Sequence, residues 1–355
     1  IIFLSMPNIP KMFFPIMFSS YIILFNFTKI VLFTINIKNN LKTNFFSVIS
    51  IIINTLIGYL LLRFPLKYLN ALLIIVGIYI LVLGVYFLGY AIMLSIPVKY
   101  KNKFKGMIHI PIPVIIESII PYTFLSKINK LLVVEDDKKV ENDFTKYDNY
   151  LEVLVHVSNN GANRIGHTDF VYNDKVFSYG NYDPTSYKLF KSIGDGVLFT
   201  AKRDKYLDFC INTVKKTIFC YKIRLTKEQK EQLDSKIEDI YSNLIPWKPA
   251  YHKYRNNNHN DYASNLYKTT SAKMYKFKNG KFKTYFVFGS SCCDMVNELI
   301  GYLGIDVLKM NGLICPGMYF DCLNREYAQS TSIVLSRTVY TDITLDEYTK
   351  DDMVL

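Results

Sequence analysis

Gly166-His-Thr-Asp-Phe-Val-Tyr172, followed after Asn173-Asp174 by Val176-Phe-Ser-Tyr179, decides the reading of this chain. Both runs are short and rich in β-branched and aromatic residues, and the two residues between them favour a tight turn. The pattern predicts a hairpin. Upstream, Leu151-Glu-Val-Leu-Val-His-Val157 alternates apolar and polar residues, as a half-buried strand does. Asn159-Asn-Gly-Ala-Asn163 reads as the loop between them. Downstream, Ile218-Phe-Cys-Tyr-Lys-Ile-Arg-Leu225 is a further strand. Thr226-Lys-Glu-Gln229 is a capping box that opens a helix running to about Leu244. Aromatic and basic residues alternate from Ala272 to Phe288 across Asn279-Gly280, which predicts a second hairpin.

The next stretch is Gly289-Ser-Ser-Cys-Cys-Asp-Met-Val-Asn-Glu-Leu-Ile-Gly-Tyr-Leu-Gly304. Ser290 or Ser291 can cap a helix. Met295, Val296, Leu299, Ile300 and Leu303 give it an apolar stripe, and Gly304 ends it. Strands and helices mixed in this way make residues 151–330 an α+β domain. Residues 331–355 read as a C-terminal tail.

The first third has a different texture. The chain has 355 residues, 50% of them hydrophobic and only 20% charged, with a net charge of +12. Such a composition excludes a disordered chain. Residues 1–125 hold ten basic residues and one acid, Glu117, for +9; residues 126–355 carry only +3. The lysines flank apolar runs, the pattern of a membrane protein and not of a nucleic-acid groove. Three runs are long enough to span: about Met12 to Ile37, Phe45 to Leu62, and Tyr68 to Val98. Lys29 interrupts the first, at a cost of about 2.5–3.5 kcal/mol if it sits mid-bilayer. Residues 1–106 thus form an all-α transmembrane region. Residues 107–125, broken by Pro111, Pro113 and Pro121, read as interfacial, and 126–150 as a charged linker. With three spans, Lys38, Lys42, Lys99, Lys101, Lys103 and Lys105 share one side against Lys11, Arg63 and Lys67. This count puts the C-terminal domain in the cytoplasm. The spans lack the acidic residues of an ion path, which disfavours a transporter.

Chemistry concentrates at Cys292. In the first turn of a helix, unpaired amides and the helix dipole favour a thiolate, and an imidazole would complete its activation. His156 and His167 are both available on strands, and Cys293 competes as the nucleophile. Cys210 and Cys220, like Cys315 and Cys322, read as packing residues. The five histidines and six cysteines show no zinc spacing, and no glycine-rich phosphate loop is present, so no metal or cofactor is expected. His252 and His259 lie in a polar stretch, and Asp183 and Asp195 read as turn residues.

Three segments together resemble the circularly permuted papain-like, NlpC-type cysteine hydrolases and acyltransferases, in particular a bacterial membrane-associated subgroup. They are Gly166–Tyr172, Val176-Phe-Ser-Tyr-Gly-Asn-Tyr-Asp183 and Ser291-Cys-Cys-Asp-Met-Val296, and Ile314-Cys-Pro-Gly-Met-Tyr319 is similar to a turn that often follows. The resemblance implies a permuted papain-like domain with Cys292 as nucleophile and His167, not His156, as base. The third, orienting residue would be Ser178 or Asn181. The implied function is a membrane-anchored hydrolase or acyltransferase working through an acyl-enzyme. Its partners would be the lipid bilayer and a peptide or lipid acyl substrate. The competing expectation is an inactive membrane protein that uses the same fold as a binding module.

Overall fold

The computed structural model describes residues 8–43, 45–94, 149–157, 166–254, 260–301, 316–327 and 333–341. The segment at 107–125, the linker up to residue 148, the loop at 159–163, His259, Leu303, Gly304 and Cys315 lie outside them, as does the tail beyond 341. The chain divides into two units, 1–97 and 98–355.

The first unit is helical: α1 (Asn8–Lys38), α2 (Phe45–Arg63) and α3 (Leu69–Leu94). Among the described residues, two stretches, Lys11–Lys38 and Phe45–Arg63, are long and apolar enough to cross a membrane. Helices α1 and α2 are joined by a ladder of polar contacts. Ser19 Oγ donates to the Gly58 carbonyl at 2.6 Å, and Asn26 Nδ2 donates to Thr55 Oγ1 at 2.7 Å and to the Ile51 carbonyl at 3.1 Å. Lys29, the residue that interrupts the first apolar run, donates to Ser50 Oγ at 2.9 Å and lies over the Phe25 ring. Hydroxyls, amides and small residues at a helix interface let helices hold together where the solvent is itself apolar.

The second unit is α+β. Its sheet has eight antiparallel strands in the order β10-β6-β1-β2-β3-β5-β8-β7. The strands are β1 (Tyr150–Val157), β2 (His167–Tyr172), β3 (Lys175–Gly180), β5 (Val197–Lys202), β6 (Thr217–Arg224), β7 (Leu244–Trp247), β8 (Lys273–Phe277) and β10 (Val334–Tyr340). A two-stranded sheet pairs β4 (Ile193–Asp195) with β9 (Thr284–Phe286). The expected hairpin forms between β2 and β3. Asn173 and Asp174 both take positive φ, 50° and 57°, as a two-residue turn of this hand needs. The capping box at Thr226 and Gln229 is complete and starts α5 (Lys227–Ser242).

Two expectations fail. The hairpin across Asn279-Gly280 does not form. Gly280 turns the chain at φ 86° into a 3-10 turn at Lys281–Lys283. The Phe282 carbonyl there accepts from Tyr179 Oη, and the Lys283 carbonyl accepts from the Gly196 amide. These bonds carry the chain away from β8, so β8 pairs with β5 and β7 while β9 pairs with β4. The stretch read as a tail also contributes a strand: β10 lines the free edge of β6.

Alternation along the strands gives the sheet two buried faces. On one, Val153, Val155, Phe170, Tyr172, Phe177 and Tyr179 pack under α5, α8 (Cys292–Ile300) and α9 (Pro316–Tyr327). On the other, Leu154, Val171, Val176, Phe199 and Ile218 pack under α4 (Arg203–Asp208), a π turn (Phe209–Thr213) and α7 (Tyr262–Thr270).

Candidate active site

Helix α8 begins where the sequence predicts. Ser291 is its N-cap: Ser291 Oγ accepts from the Asp294 amide, and Asp294 Oδ2 accepts from the Ser291 amide at 3.1 Å. This reciprocal bonding fixes the first turn and sets Cys292 and Cys293 as its first two residues. Both thiols are buried, at 4% and 0% exposure. Neither is in a disulfide, nor are Cys210, Cys220 and Cys322.

His167 is the first residue of β2. Gly166 precedes it at φ +81°, where a Cβ would stand 2.8 Å from the His156 carbonyl. Only glycine fits that approach, and it brings the chain onto the sheet with His167 opposite His156 in register. The imidazole of His167 and the Cys292 thiol interact electrostatically. Its Nε2 lies 2.8 Å from Asp169 Oδ1. Ser178 Oγ, at 3.0 Å, and Tyr182 Oη, at 2.9 Å, gather around the same nitrogen and bond each other at 2.7 Å.

Asp169 is the residue that sequence reasoning missed. It is fully buried and stands two residues beyond His167, on the same face of the strand. The signal was present as His-x-Asp inside a strand that otherwise reads as apolar core. At Oδ2, Tyr206 Oη donates at 2.6 Å, and His156 Nε2 lies 2.9 Å away without the geometry of a hydrogen bond. Ser178 stands where the sequence puts it, on β3 beside the imidazole. Asn181 does not reach the imidazole: its Nδ2 donates to the Lys191 carbonyl at 3.1 Å, so it braces the loop after β3. His252 stacks on Tyr267, Asp183 and Asp195 share Lys276, and none of these touches Cys292. Among the described residues, no group of histidine, cysteine and acidic side chains is arranged to hold a metal ion.

The electrostatics follow from this packing. Hydrogen bonding by Cys293 pulls the Cys292 thiol down, against burial. The His167 charge and the Thr168 backbone amide add to the pull, and the result lies well below the ordinary thiol range. Burial would lower His167, but the charges of Asp169 and of a Cys292 thiolate more than offset it and raise the imidazole to about 10. Burial would raise Asp169, but the His167 charge and the close approach of both histidines hold it far below the usual carboxylate range. His156 goes the other way: burial drives it down to about 4 despite the attraction of Asp169. These directions favour a thiolate–imidazolium–carboxylate chain with a neutral histidine behind it.

No family model, curated protein or solved structure matches this chain.

Proposed function

We propose that this protein is a membrane-associated thiol enzyme that transfers or hydrolyses acyl groups, with Cys292 as nucleophile and His167 as acid–base. The observation that carries this reading is the contact of a helix N-terminal thiol with an imidazole that a buried carboxylate orients. A thiolate attacks an amide, ester or thioester carbonyl, and the carbon–oxygen double bond opens to an oxyanion. The imidazolium then protonates the leaving amine, alkoxide or thiolate, and an acyl-thioester remains on Cys292. His167, now neutral, takes a proton from water or an acceptor, which attacks the thioester and releases the thiol. Asp169 keeps the imidazole in the useful tautomer. The Cys292 amide, unpaired in the first turn of α8, is one donor available to the oxyanion.

A permuted papain-like arrangement agrees with a strand-borne histidine that precedes a helix-borne cysteine in the chain. Three membrane passes, with the C-terminal domain in the cytoplasm, remain our reading of the apolar runs and the lysine count. The two apolar helices support membrane association, and with it a substrate near the bilayer, a lipid-borne acyl group or a peptide.

The test uses the full chain in detergent. It is incubated with acyl thioesters and N-acyl peptides, and intact mass and peptide mapping follow an acyl adduct. An adduct on Cys292, absent in Cys292→Ala and slow to form in His167→Ala, is the expected result. Turnover that persists in Cys292→Ala would end the proposal. One observation favours the second reading, a binding module: Cys292 is only 4% exposed. If Cys292 forms no adduct and also resists small alkylating agents, that reading takes over.

A further inference from the structure

Residues 187–192 hold the chain in a turn that no glycine eases. Leu189, Phe190 and Lys191 take φ of 44°, 53° and 67° in succession, all in the left-handed region that residues with a Cβ avoid. The turn is fastened from its base. Lys188 and Ile193 exchange backbone hydrogen bonds at 2.8 and 3.2 Å, and the Ser192 amide and Oγ both donate to the Leu189 carbonyl. Asn181 Nδ2 donates to the Lys191 carbonyl. What this strained turn holds outward is apolar: Phe190 is 101% exposed, and Leu189 is exposed beside it. Backbone strain held in place by surrounding bonds clusters at functional sites.

A second turn stands at the same end of the β4–β9 sheet. The Val287 amide donates to the Ser192 carbonyl at 3.1 Å, so the chain after β9 runs beside the strained turn. Phe288 is exposed there, its ring edge-on to Phe286. Among the described residues of the second unit, six large apolar side chains are exposed, and three of them, Leu189, Phe190 and Phe288, lie at this end. Lys188 and Lys191 flank the tip and are exposed. No acidic residue occurs from 184 to 194 or from 284 to 293. An apolar tip between cations has the chemistry of an interfacial anchor: rings and aliphatic carbons enter the acyl boundary, and ammonium groups stay with anionic headgroups. The apolar helices of the first unit support membrane association. A bilayer is therefore the partner this tip fits, and the lysines make it an anionic one.

We propose that the turn at 187–192, with Phe288, is a second membrane contact of this chain. Leu189, Phe190 and Phe288 enter the interfacial layer of an anionic bilayer, and Lys188 and Lys191 pair with its headgroups. The contact stands apart from the chemistry of Cys292, and a binding module would make it as well as an enzyme. For an enzyme it has a consequence. Phe288 lies four residues before Cys292, and its turn leads through Ser290 into the Ser291 cap of α8. Lipid would then be met at the end of the helix that carries the thiol.

The experiment uses the full chain reconstituted in vesicles of phosphatidylcholine alone, or of phosphatidylcholine and phosphatidylglycerol in equal parts. Phe190→Trp adds an indole at the tip. The wild type, with Trp247 as its only tryptophan, gives the baseline to subtract. Quenching by lipids brominated near the headgroup is compared with quenching by aqueous iodide. In the mixed vesicles we expect the added emission to shift to the blue, to fall about twofold with the brominated lipid and to be spared by iodide. Lys188→Glu with Lys191→Glu should return it to the iodide-quenched state, and phosphatidylcholine alone should bury it less. Phe288→Trp reads the same face should the first probe disturb the turn. Added emission that iodide reaches and brominated lipid does not, in both probes, overturns the proposal. Equal quenching in the two kinds of vesicle, unmoved by the charge reversal, overturns the anionic contact. A blue shift that grows with protein concentration and ignores the brominated lipid makes a second copy the occupant and overturns it too.

Discussion

The two faces of the sheet each bury a pair of cysteines, and the pairs are opposite in character. On the face under α4 and α7, Cys210 and Cys220 lie among apolar side chains, and burial pushes both thiols up to about 12. On the face under α5, α8 and α9, Cys292 is buried to the same degree, yet its thiol is held far below the ordinary range. Burial alone therefore does not decide the state of a thiol. What differs is a helix N-terminus and the balance of charge: Arg203 also acts on Cys220, but Glu152 opposes it there, whereas the His167 charge lowers Cys292. The cation comes from the other face. Asp169, His156 and Tyr206 sit on the α4/α7 side of β2 and β1, and Phe170 and Tyr172 alternate to the side that holds Cys292. The two sets meet because His167 is the first residue of its strand, where a side chain can serve both faces.

The largest effect should come from the face that supplies the cation. His156 is neutral when folded, with a pKa of about 4 against about 6.5 when unfolded. Acid protonates the unfolded chain first. The contribution of His156 is therefore complete above pH 6.5 and is lost as pH falls from 6.5 to 4. The loss reaches roughly 3 kcal/mol. His156→Gln keeps a polar side chain beside Asp169 but cannot titrate. Urea unfolding followed at Trp247 should show a markedly shallower fall in stability across this window for the variant. Parallel slopes would mean that His156 is hydrated and that the two faces differ less than their packing implies.

The next test removes the link between the faces. His167→Ala takes away the charge beside Cys292, and an opposite charge at this range is worth about one to three pH units. The pH midpoint for alkylation of Cys292 by limiting iodoacetamide should rise by about two units, while Cys210 and Cys220 stay inert through neutral pH. If all the buried thiols respond alike, the contrast between the two pairs collapses.

The elements that position the site were legible in the sequence to unequal degrees. The β2–β3 hairpin, the capping box at Thr226, a serine cap at Ser290 or Ser291 and the helix after it are local. Their signals lie within a few residues, and the structure has each of them. The pairing of β8 with β5 and β7, and of β9 with β4, was not legible. It depends on contacts of the 3-10 turn with Tyr179 and Gly196, both distant in the chain. The orienting acid failed for a different reason. Asp169 was hidden by its own strand, whose apolar neighbours make the stretch read as core, and its partners Tyr206 and His156 come from other elements. Ser178 was found because it follows the same hairpin. Asn181 was picked by proximity in sequence, and the chain turns away after β3.

A smaller effect separates the clamp on Asp169 from the imidazole itself. Tyr206 donates to the carboxylate at 2.6 Å in a fully buried place. Tyr206→Phe removes that donor with little change of shape and should cost about 1–3 kcal/mol of stability, again read at Trp247. Asp169 starts so far below neutral pH that losing one donor leaves it ionised. The Cys292 midpoint should therefore barely move. A large shift would mean that the acid depends on Tyr206 for its charge.

The smallest expected effect sets the edge of the site. Ser178 and Asn181 are three residues apart, but only Ser178 reaches His167. Ser178→Ala deletes an oxygen 3.0 Å from Nε2 and leaves Asp169 and Tyr182 in place, so the Cys292 midpoint should change by a few tenths of a unit. Asn181→Ala should leave that midpoint where it is. Its consequence should appear instead as faster proteolysis around Lys191, whose carbonyl loses its donor. A shift of Cys292 reactivity in Asn181→Ala larger than that in Ser178→Ala would place the loop after β3 inside the site. The line between the reactive face and its scaffold would then have to be redrawn to include it.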